Sequence, residues 1–390
     1  MSTMSGSDPD LLVLGGGTVG LAAAWAAARR GARVLVVEQF TSPNARSSHH
    51  GDTRVIRCAY FEHPDYVALA LRAWAMWEEW DREQGGAPAL HATGGFYFGA
   101  PDSELIAGAR SAAERHDLPH RVLDARAAAV AFPQFRLPAD AIALHERRAG
   151  FLLCEAALQR LAARARAAGV EIREGVAVTR AEAEANGGCC AMLADGTRVR
   201  ARAVADARGP GMAAAGLPWP LRVTRQVLGW FAPVQPVPLA EGRLPVWACT
   251  AQVAGESGDG LFYGFPLAAG GGAVKAARHA PGAEIIPYSP KAAETGELAD
   301  VARALARVLP DAAGLPVSAA ACQYTMSPDG HFILDRHPLG WNGAAIAGLS
   351  GHGFKFAPVL GQALAELALD GGTALPVGFL SARRFGQRPT

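Results

Sequence analysis

The stretch from residue 10 to residue 38 constrains the fold more than any other. A short apolar run, Leu11 to Leu14, reads as a buried strand. Gly15, Gly17 and Gly20 follow at G-x-G-x-x-G spacing, and an alanine-rich helix is predicted from there to about Arg30, with Gly31 placed to cap it. A second strand, Arg33 to Val37, ends in Glu38. Each part has a physical task. Gly15 permits a tight turn, Gly17 lets the backbone approach a pyrophosphate, and Gly20 lets the helix pack closely on the strand. The helix start, at Thr18 and Val19, presents free N–H groups and about half a positive charge to phosphate. Glu38 can accept hydrogen bonds from a ribose hydroxyl and would repel a 2′-phosphate. The pattern predicts a dinucleotide site and leaves NAD and FAD undecided.

The rest of the composition narrows the partner. A chain of 390 residues is long enough for two domains, or for one with an inserted lobe. Half of it is hydrophobic and 19% is charged, so burial can offset the entropy of ordering the chain. The formal net charge of +1 supplies no basic field for nucleic acid or an anionic membrane, so a small-molecule partner is expected. Met1 to Pro9 is polar with no apolar core, and the alanine-rich run after Gly20 is too short to span a bilayer. A cytoplasmic protein is the expectation. The six cysteines, Cys58, Cys154, Cys189, Cys190, Cys249 and Cys322, form no C-x-x-C pair, so reduced and mostly buried thiols are expected and no metal site.

Beyond Glu38, residues 41 to 57 read as a polar loop that enters a short helix. Helices are predicted from Pro64 to Glu83, Ser103 to His116, Asp124 to Ala131, Glu155 to Ala168, Ala292 to Val308 and Phe354 to Leu369. Strands are predicted at His91 to Phe98, Val170 to Arg173, Thr197 to Asp206, Phe332 to Asp335 and Ala344 to Ala347. Val176 to Glu184 and Ala191 to Leu193 form a hairpin around Asn186-Gly-Gly. Residues 220 to 280 are strand-like: Thr224 to Phe231, Val246 to Thr250, Leu261 to Phe265 and Ala273 to Ala277. The expected class is α/β, with a Rossmann-like nucleotide-binding domain in discontinuous pieces (1–90, 150–215 and 321–390). A mostly antiparallel substrate lobe is expected at 91–149 and 216–320.

Four further stretches carry chemistry: Ser48-His-His-Gly-Asp-Thr-Arg-Val-Ile-Arg57; Tyr263-Gly-Phe-Pro266 with Lys275 and His279; Cys322-Gln-Tyr-Thr-Met-Ser-Pro-Asp329; and Gly348-Leu-Ser-Gly-His-Gly-Phe-Lys-Phe356. The planar fork of Arg57 suits a two-oxygen anion. Lys355, flanked by Phe354 and Phe356 at a helix start, reads as a partly buried ammonium facing the same anion. Lys275 lies in an alternating strand, where an outward, solvated lysine is the ordinary alternative.

In this order the four stretches closely resemble the monomeric sarcosine oxidase and N-methyltryptophan oxidase family of FAD-dependent amine oxidases, over nearly the whole chain. The resemblance implies FAD as cofactor. It implies contacts to FAD from Gly15, Gly17, Thr18, Val19, Gly20, Glu38, Gln39, Ser48, His49, Thr53, Val176, Gly209, Gly351, Gly353, Phe354 and Lys355. It puts His50 and Arg54 against the flavin ring and Lys275 on the flavin face opposite the substrate, where a fixed cation assists oxygen reduction. His279 would line the pocket. Cys322 aligns with a cysteine that forms a thioether to the flavin. Arg57 and Lys355 would hold a substrate carboxylate, and Tyr263 and Tyr324 the amine. The implied activity is oxidation of a secondary amino acid such as sarcosine by a monomer. A hydride equivalent passes to the flavin, the imine hydrolyses, and O₂ is reduced to H₂O₂. N-methyltryptophan, pipecolate or a glycated amino acid are alternative substrates. A dehydrogenase with another acceptor and a sensor without turnover are alternative classes. Two departures stand out. Arg208-Gly209-Pro210-Gly211 replaces the family's Gly-Ala-Trp, and Phe61-Glu-His-Pro-Asp65 replaces a Gly-containing run near the substrate entrance.

Overall fold

The computed structural model describes residues 8–268 and 271–386; most of the polar start read at Met1 to Pro9 lies outside them. The opening stretch folds as expected. Strand Leu11–Leu14 is followed by helix Thr18–Ala28 and strand Val34–Val37, and both strands are fully buried. They occupy a six-stranded sheet in the order Ile333–Arg336, Gly343–Ala347, Ala203–Asp206, Leu11–Leu14, Val34–Val37, Glu171–Arg173. All pairs are parallel except the first. Continuous Val/Leu/Ala runs suit such a sheet because both faces are covered. Helix Thr18–Ala28 has almost no polar side, which is what a helix buried between layers requires. It packs on helix Ala357–Asp370 through small residues: a side chain at Gly361 would come within 2.5 Å of Ala22 Cβ. Gly20 is equally confined: a Cβ there would lie 2.0 Å from the Gly15 carbonyl oxygen.

The second layer is an eight-stranded sheet in the order Pro316–Met326, Arg222–Phe231, Val274–His279, Leu261–Gly264, Val246–Thr250, Gly95–Gly99, Ile142–Glu146, His120–Asp124. Only Val246–Thr250 and Gly95–Gly99 pair in parallel. One face packs phenylalanines, Trp247 and helix Ala299–Val308 into a separate core. The other face looks toward the nucleotide-binding sheet.

Several expectations are corrected. Residues 53–57 are not the entry to a helix. Thr53–Arg57 is a strand paired antiparallel with Ala149–Leu153, as its β-branched alternation favours. The single strand expected at His91 to Phe98 breaks at Gly94 (φ +76°) into Leu90–His91 and Gly95–Gly99, which join different sheets. Thr197 to Asp206 likewise splits, with Arg198–Ala201 in the hairpin sheet and Ala203–Asp206 in the parallel sheet. The helix expected from Ala292 starts at Ala299, after a 3-10 turn closed by Glu294 and Glu297 in a capping box. The boundary drawn between 320 and 321 falls inside the eleven-residue strand Pro316–Met326, whose alanine run hid it. All six cysteines are free thiols, and all but Cys190 are buried. No helix among the described residues is long and apolar enough to cross a membrane.

Candidate active site

Two cavities adjoin between the sheets. The first, of about 980 Å³, runs from the glycine loop past Glu38 and Gly209 to Gly348–Gly353. Its walls suit a phosphate-bearing ligand. The helix at Thr18 starts without a side-chain cap, so its first amides are free to meet an anion. Space is open where side chains at Gly17 and Gly209 would stand, and Gly209 has φ +57°. Glu38, at the end of strand Val34–Val37, accepts the Gly16 N–H at 2.7 Å and the Phe40 N–H at 3.0 Å. Each carboxylate oxygen retains a lone pair for a ribose hydroxyl. Burial raises its pKa. The buried ring of His49 lines this cavity with its Nε2 unpartnered. Burial first, and Arg54 second, push that imidazole down to about 3, so it is neutral.

The second cavity, of about 770 Å³, shares Arg54, Tyr324, Gly351 and Phe354 with the first. Strand register explains its floor. Ala277, Tyr263, Ala248 and Tyr97 stand opposite one another on successive strands, so they share a face. Lys275 and His279 share it by alternation from Ala277. Cys322 and Tyr324 reach it through Gln226, Leu228 and Ala277. Five remote segments thus converge without any local motif.

Around this floor the charges are ordered. Arg57, at the end of strand Thr53–Arg57, grips Glu62 with one nitrogen at 2.5 and 2.6 Å from its two oxygens. It lies over the rings of Tyr60 and Phe61. Although burial opposes ionisation of Glu62, Arg57 holds the carboxyl down at about 2. Lys355 is 6% exposed, its Nζ donating to the His352 carbonyl at 2.8 Å. Burial and Arg57 push it down to about 7. His352 Nε2 faces the Gly330 carbonyl at 3.0 Å and must carry the proton there, so Nδ1 accepts from the Tyr60 hydroxyl at 2.5 Å. Burial holds this ring neutral, at about 3. His279 meets the Tyr324 hydroxyl at 3.3 Å and is pushed down to about 4, also by burial.

Lys275 is buried and donates to the carbonyls of Gly51 and Thr53 (2.8 Å for the latter) and to Thr53 Oγ1 at 3.2 Å. Burial, then Arg54, lower it to about 7. Arg54 is half-buried and fastens the 48–50 turn, donating to the Ser48 and His50 carbonyls at 2.9 and 2.7 Å. It also donates to Cys322 Sγ at 3.4 Å.

Most residues singled out in the sequence line one cavity or the other: Gly15, Gly17, Thr18, Val19, Glu38, Ser48, His49, Gly209 and Gly353 the first, Arg57, Tyr263, His279 and Lys355 the second, and Arg54, Tyr324, Gly351 and Phe354 both. Gly20, Gln39, His50, Thr53, Val176, Lys275 and Cys322 line neither. Gly20 acts in helix packing. Val176 packs under the hairpin. Thr53 and Cys322 stand behind Lys275 and Arg54. Sequence reasoning missed Glu62, Tyr97, Tyr288 and His352. Glu62 stood in the segment that departs from the family, and His352 in the Gly-His-Gly run. Tyr97 and Tyr288 carried no local signal.

Residues 10–367 match the model of the FAD dependent oxidoreductase family, DAO. The chain is 36% identical to a monomeric sarcosine oxidase of Streptomyces avermitilis, over 97% of this chain and 98% of the relative. It is also 36% identical to an N-methyl-L-tryptophan oxidase of Salmonella arizonae, over 97% and 99%. Among solved structures it is similar to NikD, an unusual amino acid oxidase essential for nikkomycin biosynthesis, in its open form. The TM-score is 0.81, with 26% identity over 96% of this chain and 97% of that one.

Proposed function

Because the chain belongs to the FAD dependent oxidoreductase family, we propose that it oxidises secondary, N-methylated amino acids with O₂ as acceptor, working as a cytoplasmic monomer. The observation that carries this is the Arg57–Lys355 pair, two buried cations beside a chamber that adjoins the nucleotide cleft. The first cavity would hold FAD, with Gly15, Gly17, Thr18 and Val19 meeting its pyrophosphate and Glu38 a ribose. When bound, FAD supplies two-electron oxidation of the C–H beside an amine nitrogen and returns the electrons to O₂.

The side chains do the rest. Glu62 turns both carboxylate oxygens to one nitrogen of Arg57 and so stands where a substrate carboxylate would bind. An incoming carboxylate takes its place on Arg57 and pairs with Lys355. Tyr263, Tyr324 and the neutral His279 surround the amine without offering a cation to repel it. The buried ammonium of Lys275 supplies positive charge for oxygen reduction, positioned through the 51–53 backbone. Cys322, held by Arg54, is the thiol that would tether the flavin. The related N-methyl-L-tryptophan oxidases favour including bulky N-methyl amino acids beside sarcosine, and Leu105, Ala248 and Leu261 give the chamber apolar walls that accept a side chain. The test is peroxide release from the purified flavoprotein on addition of sarcosine or N-methyltryptophan. Equal release with and without amino acid would reject oxidase activity.

A further inference from the structure

Glu146 is a buried carboxylate that lines neither cavity. It ends strand Ile142–Glu146 and stands on the active-site face, opposite Gly95. Three donors converge on it. Oε1 accepts the Cys58 N–H at 3.2 Å and the Tyr97 hydroxyl at 2.9 Å, and Oε2 accepts the Ala59 N–H at 2.5 Å. Gly95 leaves the room this needs, since a Cβ there would lie 2.1 Å from the Tyr97 hydroxyl. Cys58 and Ala59 immediately follow Arg57, and the Ala59 carbonyl accepts from Arg57 Nη1 at 3.2 Å. The carboxylate therefore clasps the backbone that steers the arginine fork, and ties it to a tyrosine in the chamber floor.

We propose that Glu146 is a positioning residue for carboxylate recognition, setting the Arg57 fork through the Cys58–Ala59 backbone and Tyr97. This rests on Arg57 gripping the substrate carboxylate. The geometry explains why a carboxylate stands here at all. Burial pushes it up to about 7 against the pull of its donors and of Arg57, and a core strand end could be filled by an apolar side chain at less cost. Its value lies in two acceptor oxygens. With Glu62 displaced by substrate, Arg57 loses its present partner, and the Ala59 carbonyl is the contact that keeps the fork aimed. A glutamine cannot replace Glu146, because one of its ends must present N–H donors to backbone donors.

The test uses the flavin-loaded enzyme and propionate, a carboxylate with no amine to oxidise, titrated by its perturbation of the flavin spectrum. Glu146→Gln should raise the propionate Kd about tenfold or more, and Tyr97→Phe about threefold. With an N-methyl amino acid substrate the change should fall on KM, leaving the limiting rate of flavin reduction within about twofold. In an Arg57→Lys background, which keeps a charge but loses the fork, Glu146→Gln should add little. An unchanged Kd in Glu146→Gln, or the same loss with and without the Arg57 fork, overturns the proposal. Should Glu146→Gln not fold, an unchanged Kd in Tyr97→Phe overturns it. Failure of the clamp itself is told apart by Arg57→Ala, which would then bind propionate like wild type.

Discussion

At the glycine-rich end of the cavity the groups that meet a ligand are mostly backbone amides, set by a turn, a helix start and a strand end within thirty residues of sequence. At the sheet end they are side chains from strands near residues 57, 97, 263, 279 and 324, together with a turn at 355. Backbone recognition depends on space, so it tolerates no added side chain. Side-chain recognition depends on charge and register, so it tolerates change in shape but not in polarity. The first end can be shared across chemistries, and the second fixes the reaction.

Breaking the first end should have the larger effect. Gly20→Val must drive carbon into the Gly15 carbonyl, 2.0 Å away, a clash beyond the ~3 kcal/mol of ordinary overpacking. Little or no flavin-loaded protein should be recovered; normal flavin content on purification would show the loop is less constrained than described. Arg57→Ala acts at the other end and should leave flavin content intact. It removes a charged fork from the carboxylate, so KM should rise roughly 100-fold, on the order of 3 kcal/mol, and steady-state kinetics would expose an unchanged KM.

Lys275→Met separates the two halves of the reaction. Stopped-flow reoxidation by O₂ should slow by roughly 100-fold while anaerobic reduction changes little. The sign of the pH effect follows from burial, which lowers this lysine to about 7: charged below, neutral above. Reoxidation by wild type should therefore slow as pH rises through 7, and the Lys275→Met rate should not follow that titration. Equal loss in both half-reactions would remove Lys275 from the oxygen step. The smallest effect on turnover is expected from Cys322→Ser. Acid precipitation should free the flavin from this variant and not from wild type, and free flavin from wild type would refute the tether.

The same contrast governs what could be read in the sequence. Gly15, Gly17, Gly20 and Glu38 were legible because short-range geometry alone demands them. Arg57, Lys355, Tyr263 and Tyr324 were legible through family resemblance. Tyr97 was not, because its place depends on strand register across the sheet, which no local pattern encodes. Glu62 was not, because it sits in a bend and is anchored there by the Arg57 side chain. Residues 53–57 were misread for a related reason: five β-branched and basic residues inside a polar loop give a weak local signal until Ala149–Leu153 supplies the partner. The strand Pro316–Met326 was hidden by Ala319, Ala320 and Ala321, whose low strand propensity is overridden by pairing with Arg222–Phe231.

The proposed task of the sheet face is to bind an N-methyl amino acid by its carboxylate and present it for oxidation. Anaerobic stopped-flow bleaching of the flavin, with an N-methyl amino acid compared against its methyl ester, tests this most directly. The acid should bleach the flavin, and the ester, lacking the charge that Arg57 and Lys355 hold, should do so at least about 100-fold less efficiently. Absence of bleaching by any N-methyl amino acid, or equal bleaching by acid and ester, would contradict it.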